Sequence, residues 1–181
     1  MAASAPTPGF SAPNRSGGGT RDFLRLLLGI TLPVLIIDQL SKLYIASHFS
    51  FHEDIVLIPH WLDLTYTLNP GAAFSLFAAM PAWFRSSFLL GLAAGAIVVL
   101  LVLLIRDPRA SLTSGALALI LAGAIGNLID RVWRGPVVDF ILMHYYTHDY
   151  PVFNVADSAI SVGVVLIIIA SFKSSAPAKS D

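Results

Sequence analysis

FRSSFLLGLAAGAIVVLLVLLI (84–105) is the stretch that decides the class of fold, because it is apolar over almost its whole length. A helix rises about 1.5 Å per residue, so about 20 apolar residues span the hydrocarbon core of a bilayer. Three further stretches, at about Phe23–Ala46, Leu112–Ile129 and Val155–Phe172, have similar length and composition. The sequence therefore predicts an α-helical membrane protein with four transmembrane helices.

The composition of the whole chain agrees with this class. Of 181 residues, 56% are hydrophobic and 12% are charged, whereas soluble domains carry roughly 25% charged residues. Lys and Arg do not gather into a basic stripe, so we expect no nucleic-acid partner. The absence of cysteine excludes a disulfide framework, a thiolate metal site and a cysteine nucleophile.

The two ends of the chain are predicted to lie outside the membrane domain, which comprises residues 21–173. Residues 1–20 are rich in Ala, Ser, Pro and Gly, as is typical of a disordered tail, and residues 174–181 form a second tail. A cleaved signal peptide is an alternative for the first span, because the apolar run Leu26–Ile37 has the length of a signal core. Against it, no small-residue cleavage site follows that run directly.

The orientation in the membrane follows from the positive charges near the span ends, which favour the cytoplasmic side. The loop at about 47–83 contains no Lys or Arg, and the loop after the third span holds only Arg131 and Arg134. Both termini are therefore predicted to be cytoplasmic and both longer loops external. The residues assigned to the inner side are Arg15, Arg21, Arg25, Arg106, Arg109, Lys173 and Lys179.

The first outer loop carries a strand pattern. Residues 61–68 (WLDLTYTL) alternate between apolar and polar side chains, which is the period of a half-buried strand. Asn69-Pro70-Gly71 reads as a turn, after which residues 72–77 are predicted to return as a second strand. Residues 55–58 supply a third. We expect a small extracytoplasmic β-sheet within about residues 50–80.

Polar residues from separate helices share one depth near the outer face. Asp38 lies roughly 25 Å above Arg21 along the first helix, and Lys42 follows it at i+4. Each of these polar residues has a purely structural alternative. Asp38 and Lys42 can form a helix ion pair, and Asn127 can make a helix–helix contact. Asp130 and Arg131 can anchor in the interface, and Asn154 or Asp157 can be an N-cap.

Asp139 in GPVVDF (135–140) and Asp157 in FNVADSA (153–159) are the strongest candidates for chemistry. Two carboxylates that converge from separate segments share a proton, which is how aspartic peptidases activate water. Asp139 is placed in the outer loop, where its apolar neighbours are expected to raise its pKa. His144, His148 and Asp149 lack a companion ligand set, so we expect no metal site and no cofactor.

Five blocks together resemble the lipoprotein signal peptidases, bacterial membrane aspartic peptidases that trim lipidated prolipoproteins. They are DQLSK (38–42), NPGAAFS (69–75), GAIGNLIDR (123–131), VVDF (137–140) and FNVADSAI (153–160). The resemblance implies an aspartic endopeptidase of the bacterial inner membrane, with Asp139 and Asp157 as the catalytic pair. It implies cleavage just before a diacylglyceryl-modified cysteine, without a metal or organic cofactor. The supporting residues it implies are Asp38, Lys42, Asn69, Gly123, Asn127, Arg131, Asn154 and Ala156.

We expect a monomer whose partners are prolipoprotein substrates and membrane lipids. The leading rival is a small proton-coupled transporter or channel subunit, because intramembrane acids also relay protons. A relay predicts acids stepped through the membrane, whereas here they cluster at one face and the inner half of every span lacks them. A purely structural membrane subunit is disfavoured by the same clustering.

Overall fold

The computed structural model describes residues 18–71, 81–106, 111–146 and 148–174. Within these ranges, four helical spans are long and apolar enough to cross a membrane, which confirms the predicted fold class. The predicted N-terminal tail, the return strand at 72–77 and the C-terminal tail fall mainly or wholly outside the described residues. The helices are α1 (Gly18–Leu26), α2 (Leu32–His48), α3 (Ala82–Arg106), α4 (Leu112–Trp133) and α5 (Val155–Ser174).

The first span consists of α1 and α2 joined by a π-helical turn, Leu27–Thr31. Pro33 follows this turn. It has no N–H to donate to the carbonyl of Gly29, and its ring would clash with that carbonyl in a regular α-helix, which accounts for the wider helical turn. The hydroxyl of Thr31 donates a hydrogen bond of 3.1 Å to the carbonyl of Ala118 on α4. The turn is thereby tied to the centre of the bundle.

A small antiparallel sheet covers the end of the bundle where α2 and α4 finish and α5 begins. Its order is β1 (Asp54–Ile58), β2 (Leu62–Asn69), β3 (Val137–Tyr145), with a two-residue strand β4 (His148–Asp149) on the end of β3. The strands predicted at 55–58 and 61–68 are confirmed. The placement of Asp139 in a loop is wrong, because it lies on β3 opposite Thr67 of β2.

Two apolar clusters hold these elements together. Leu26, Leu100, Leu104, Ala118 and Leu121 are buried between the first span, α3 and α4. Under the sheet, Ile45 at the end of α2 packs with Val138 and Phe140 of β3. Many apolar side chains on the outer surfaces of the spans are exposed, as expected for helices that a bilayer covers.

Helices α4 and α5 approach each other closely at Gly123. A Cβ atom at this position would lie 2.3 Å from the backbone oxygen of Ala156. Only glycine permits that approach, and Ala156 itself is fully buried. The close contact fixes the start of α5, and with it Asp157, against α4.

Candidate active site

Asp139 and Asp157 come to the site from different elements. Asp139 is on β3 and is only 2% exposed. Asp157 is half-buried in the first turn of α5, where the free backbone N–H groups of a helix favour negative charge. The two carboxylates are connected through the side-chain amides of asparagines, each of which is oriented by a second contact.

Asn69 is the first of these asparagines. Its Oδ1 accepts the backbone N–H of Gly71 at 2.9 Å, so its Nδ2 faces the other way and donates to Oδ2 of Asp139 at 2.9 Å. Gly71 has a φ of +89°, a conformation that glycine adopts readily. The turn after β2 thus fixes the orientation of the Asn69 amide.

Asn154 combines two roles that the sequence presented as alternatives. Its Oδ1 accepts the backbone N–H of Asp157 at 2.9 Å, which makes it the N-cap of α5. Its Nδ2 donates to Oδ1 of Asp139 at 2.7 Å. Capping therefore orients the amide so that its N–H₂ group reaches the carboxylate.

Asn127 of α4 contacts the other carboxylate. Its Nδ2 donates to Oδ1 of Asp157 at 2.7 Å, and its Oδ1 accepts from Nζ of Lys42 at 3.0 Å. Nδ2 of Asn154 also donates to Oδ1 of Asn127, at 3.3 Å. Asn127 therefore both connects α4 to neighbouring helices and binds Asp157 directly.

Lys42 lies at the centre of a fully buried ionic group. Its Nζ is 2.9 Å from Oδ2 of Asp38, which confirms the predicted i+4 pair, and 2.9 Å from Oδ2 of Asp130. The alternative that Asp130 anchors its head in water is wrong, because its side chain is fully buried and is also paired with Arg134. The sequence does not predict this position of Asp130, for which its i+4 spacing to Arg134 is the available local signal.

Arg131 is half-buried beside the two aspartates. Its Nη1 donates to the carbonyl of Asn127 at 3.4 Å, and its Nε is buried without a hydrogen-bond partner in the described part of the chain. It lines a cavity of about 120 Å³ between the turn after β2, α3 and the end of α4. The other lining residues are Pro70, Ser86, Ser87, Leu89, Leu90 and Gly135.

The environment of Asp139 raises the pKa of its carboxyl from 3.8 to about 6. Burial is the main cause, because a charged carboxylate loses its hydration, and the negative charge of Asp157 adds to the effect. The amide donors of Asn69 and Asn154 and the charge of Lys42 oppose the shift. Asp139 therefore holds a proton more readily than an ordinary aspartate does.

Gly123 and Ala156 do not bring side chains to this site. Gly123 permits the contact between α4 and α5, and the backbone N–H of Ala156 donates to Oδ1 of Asp38 at 2.8 Å. On the sheet, Nε2 of His144 lies 3.2 Å from Oδ2 of Asp63. No three His, Asp or Glu side chains among the described residues are placed to hold a metal ion.

The family of the chain follows from comparison with known proteins. A family model described as signal peptidase (SPase) II matches residues 30–173. The chain belongs to the signal peptidase II family. This confirms the resemblance seen in the five sequence blocks and makes the chain a peptidase. With its four apolar spans, this signal peptidase II family member is a multi-pass membrane protein.

Relatives and solved structures agree. The lipoprotein signal peptidase of Pseudomonas putida KT2440 is 47% identical over 149 residues, or 81% of this chain and 86% of the relative. That of Syntrophus aciditrophicus is 42% identical over 137 residues, or 75% and 85%. A bacterial membrane enzyme solved by the in meso method at 2.3 Å resolution has a TM-score of 0.73 at 33% identity, covering 90% of this chain and 94% of its own. A second, at 1.9 Å, has a TM-score of 0.70 at 34% identity, with coverage of 85% and 94%.

Proposed function

We propose that this signal peptidase II family member is an aspartic endopeptidase that removes signal peptides from diacylglyceryl-modified prolipoproteins, cutting just before the lipidated cysteine. Asp139 and Asp157 are the catalytic pair. The observation that carries the proposal is the set of oriented amides: Asn69 and Asn154 donate to Asp139, and Asn127 donates to Asp157. Three side chains aimed at two carboxylates are an arrangement that a helix cap or an interface anchor does not require.

The environments of the two aspartates support different roles for them in the proposed reaction. Asp139, which is buried and has a raised pKa, takes up a proton more readily than an ordinary aspartate and acts as the acid. Asp157, half-buried at the N-terminus of α5 and bound by the Asn127 amide, faces donors that favour a carboxylate and acts as the base.

The proposed steps use protein groups and water. Asp157 takes a proton from a water molecule while the water oxygen forms a bond to the scissile carbonyl carbon. Asp139 gives its proton to the developing oxyanion. The proton on Asp157 then passes to the leaving amine as the C–N bond breaks. Asp139 recovers its proton from the hydroxyl that becomes the new carboxyl group.

Arg131 and the cavity beside it are proposed to hold the substrate backbone. Among the described residues, the Nε of Arg131 has no hydrogen-bond acceptor, which supports a role for this guanidinium in binding a substrate carbonyl. Acyl chains on the substrate would anchor it in the outer leaflet, at the end of the bundle where both aspartates lie.

Lipid dependence tests the proposed substrate. The purified protein should cleave a diacylglyceryl-modified prolipoprotein and leave the same polypeptide without the modification uncut. Mass spectrometry should place the new N-terminus at the lipidated cysteine. Equal cleavage of both forms, or a cut elsewhere, would contradict the proposed substrate while leaving the peptidase family in place.

We further propose that the protein is a monomer of the bacterial inner membrane with both termini in the cytoplasm. The distribution of Lys and Arg supports this orientation. Reporter fusions at the C-terminus should be active only with a reporter that works in the cytoplasm. An external C-terminus would place the two aspartates at the cytoplasmic face and contradict the substrate geometry.

The variant Asn69→Ala should move the alkaline limb of the pH–rate profile. Asn69 donates to the ionised form of Asp139, so its loss raises the pKa of Asp139 further above about 6. An acid must be protonated to act, so activity falls as pH rises through that pKa, and the limb should move up by about one pH unit. Asp63→Asn, on the same strand but away from Asp139, is the control. A limb that stays in place would mean that another group supplies the proton.

A further inference from the structure

The residues immediately before the two aspartates are each held by a buried carboxylate. The backbone N–H of Ala156, which precedes Asp157, donates to Oδ1 of Asp38 at 2.8 Å. The backbone N–H of Val138, which precedes Asp139, donates to Oδ2 of Asp130 at 3.3 Å. Asp38 on α2 thus binds the backbone next to Asp157, and Asp130 on α4 binds the backbone next to Asp139.

Lys42 joins these two carboxylates. Its ammonium has three protons and three acceptors: Asp38 and Asp130 at 2.9 Å each and Oδ1 of Asn127 at 3.0 Å. Asn127 in turn binds Asp157. Each of these three acceptors therefore also contacts either Asp157 itself or the backbone N–H of the residue that precedes Asp139 or Asp157.

We propose that Asp38, Lys42 and Asp130 form a positioning clamp that sets the separation and orientation of Asp139 and Asp157. This inference rests on the proposed function, because it assumes that these two aspartates perform the chemistry. The three clamp residues are fully buried, so they are positioning residues that act through backbone amides and Asn127, without touching substrate.

Stability alone does not account for this arrangement. Replacing a buried ionic group by apolar residues of similar volume is often neutral or stabilising, so such a group is a costly way to hold helices together. The charges are balanced here, because Arg134 pairs with Asp130 and Lys42 serves both carboxylates. Gly126 makes room for the clamp, since a Cβ there would lie 2.5 Å from Oδ2 of Asp38.

The test is a charge-balanced double variant, Lys42→Met with Asp38→Asn, which leaves Asp130 paired with Arg134. Per folded molecule, we expect kcat to fall about 100-fold, the scale of a misplacement of about 1 Å, with KM changed less than about threefold. Thr31→Val is the control, because it removes a buried hydrogen bond between the first span and α4 without any link to the pair. Its kcat per folded molecule should match that of the unmodified protein.

A merely structural role predicts a lower melting temperature with unchanged kcat in the folded fraction, and that result would overturn the clamp. If the double variant does not fold, Asp130→Glu decides, because it keeps every charge and moves one carboxylate by a methylene group. Unchanged kcat in folded Asp130→Glu would equally overturn the clamp. Asp139→Asn measured alongside separates the two proposals: its inactivity beside an active clamp variant removes only the clamp, whereas its activity removes the catalytic pair.

Discussion

Replacing either Asp139 or Asp157 by asparagine should lower cleavage of a diacylglyceryl-modified prolipoprotein by roughly 10⁴-fold or more. Asparagine keeps the size of the side chain but does not exchange a proton at neutral pH. If the two carboxylates act as one water-activating unit, losing either removes the whole reaction. The double variant should therefore be hardly worse than either single variant.

Folding should survive both changes, for reasons that differ between the two sites. At Asp157, Oδ1 accepts a hydrogen bond from the Asn127 amide, so an asparagine fits there with its own oxygen in that place and its N–H₂ turned away. At Asp139 both oxygens accept amide donors, so asparagine loses one of these contacts, but it also removes a buried charge. The melting temperature should be recorded for each variant beside the cleavage rate.

Asp63→Asn is the matched control, because it makes the same substitution on the same sheet but away from Asp139, where Oδ2 of Asp63 lies 3.2 Å from Nε2 of His144. It should keep the full cleavage rate. A transporter or a structural subunit predicts graded and independent losses, or loss through misfolding. Substantial cleavage by stably folded Asp139→Asn or Asp157→Asn would contradict the proposed pair.

The four spans were predictable because each helix carries its own signal in length and hydropathy. Strand β2 was equally visible from its alternation. Strand β3 was not, because Val137, Val138, Asp139 and Phe140 are all buried, and a strand buried on both faces shows no alternation. The same burial hid Asp139 in what reads as an apolar loop.

The contacts within the site depended on partners distant in sequence. Asp130 reads locally as the polar end of a helix, whereas its partner Lys42 belongs to the first span. The orientation of the Asn127 and Asn154 amides is likewise set by Lys42 and by the start of α5. A sequence pattern identifies the residue type at such positions but does not say which atom of an amide faces which neighbour.

Asn154 offers the sharpest separation of a structural from a chemical role, because one amide performs both. Asn154→Ala removes the cap of α5 and the donor to Asp139, so it should lower stability by about 1 kcal/mol and turnover by roughly one to three orders of magnitude. Asn154→Ser keeps an oxygen that can cap the helix but supplies no N–H to Asp139. It should retain most of the stability while losing turnover to a similar extent.

The measurement is kcat per folded molecule, with thermal unfolding recorded for both variants. If Asn154 were only a cap, turnover would follow stability, and Asn154→Ser would cleave substrate at the rate of the unmodified protein. If the amide stabilises the transition state through Asp139, the serine variant is stable and slow. A stable serine variant with full turnover would therefore assign Asn154 to the helix terminus alone and leave Asn69 as the amide partner of Asp139.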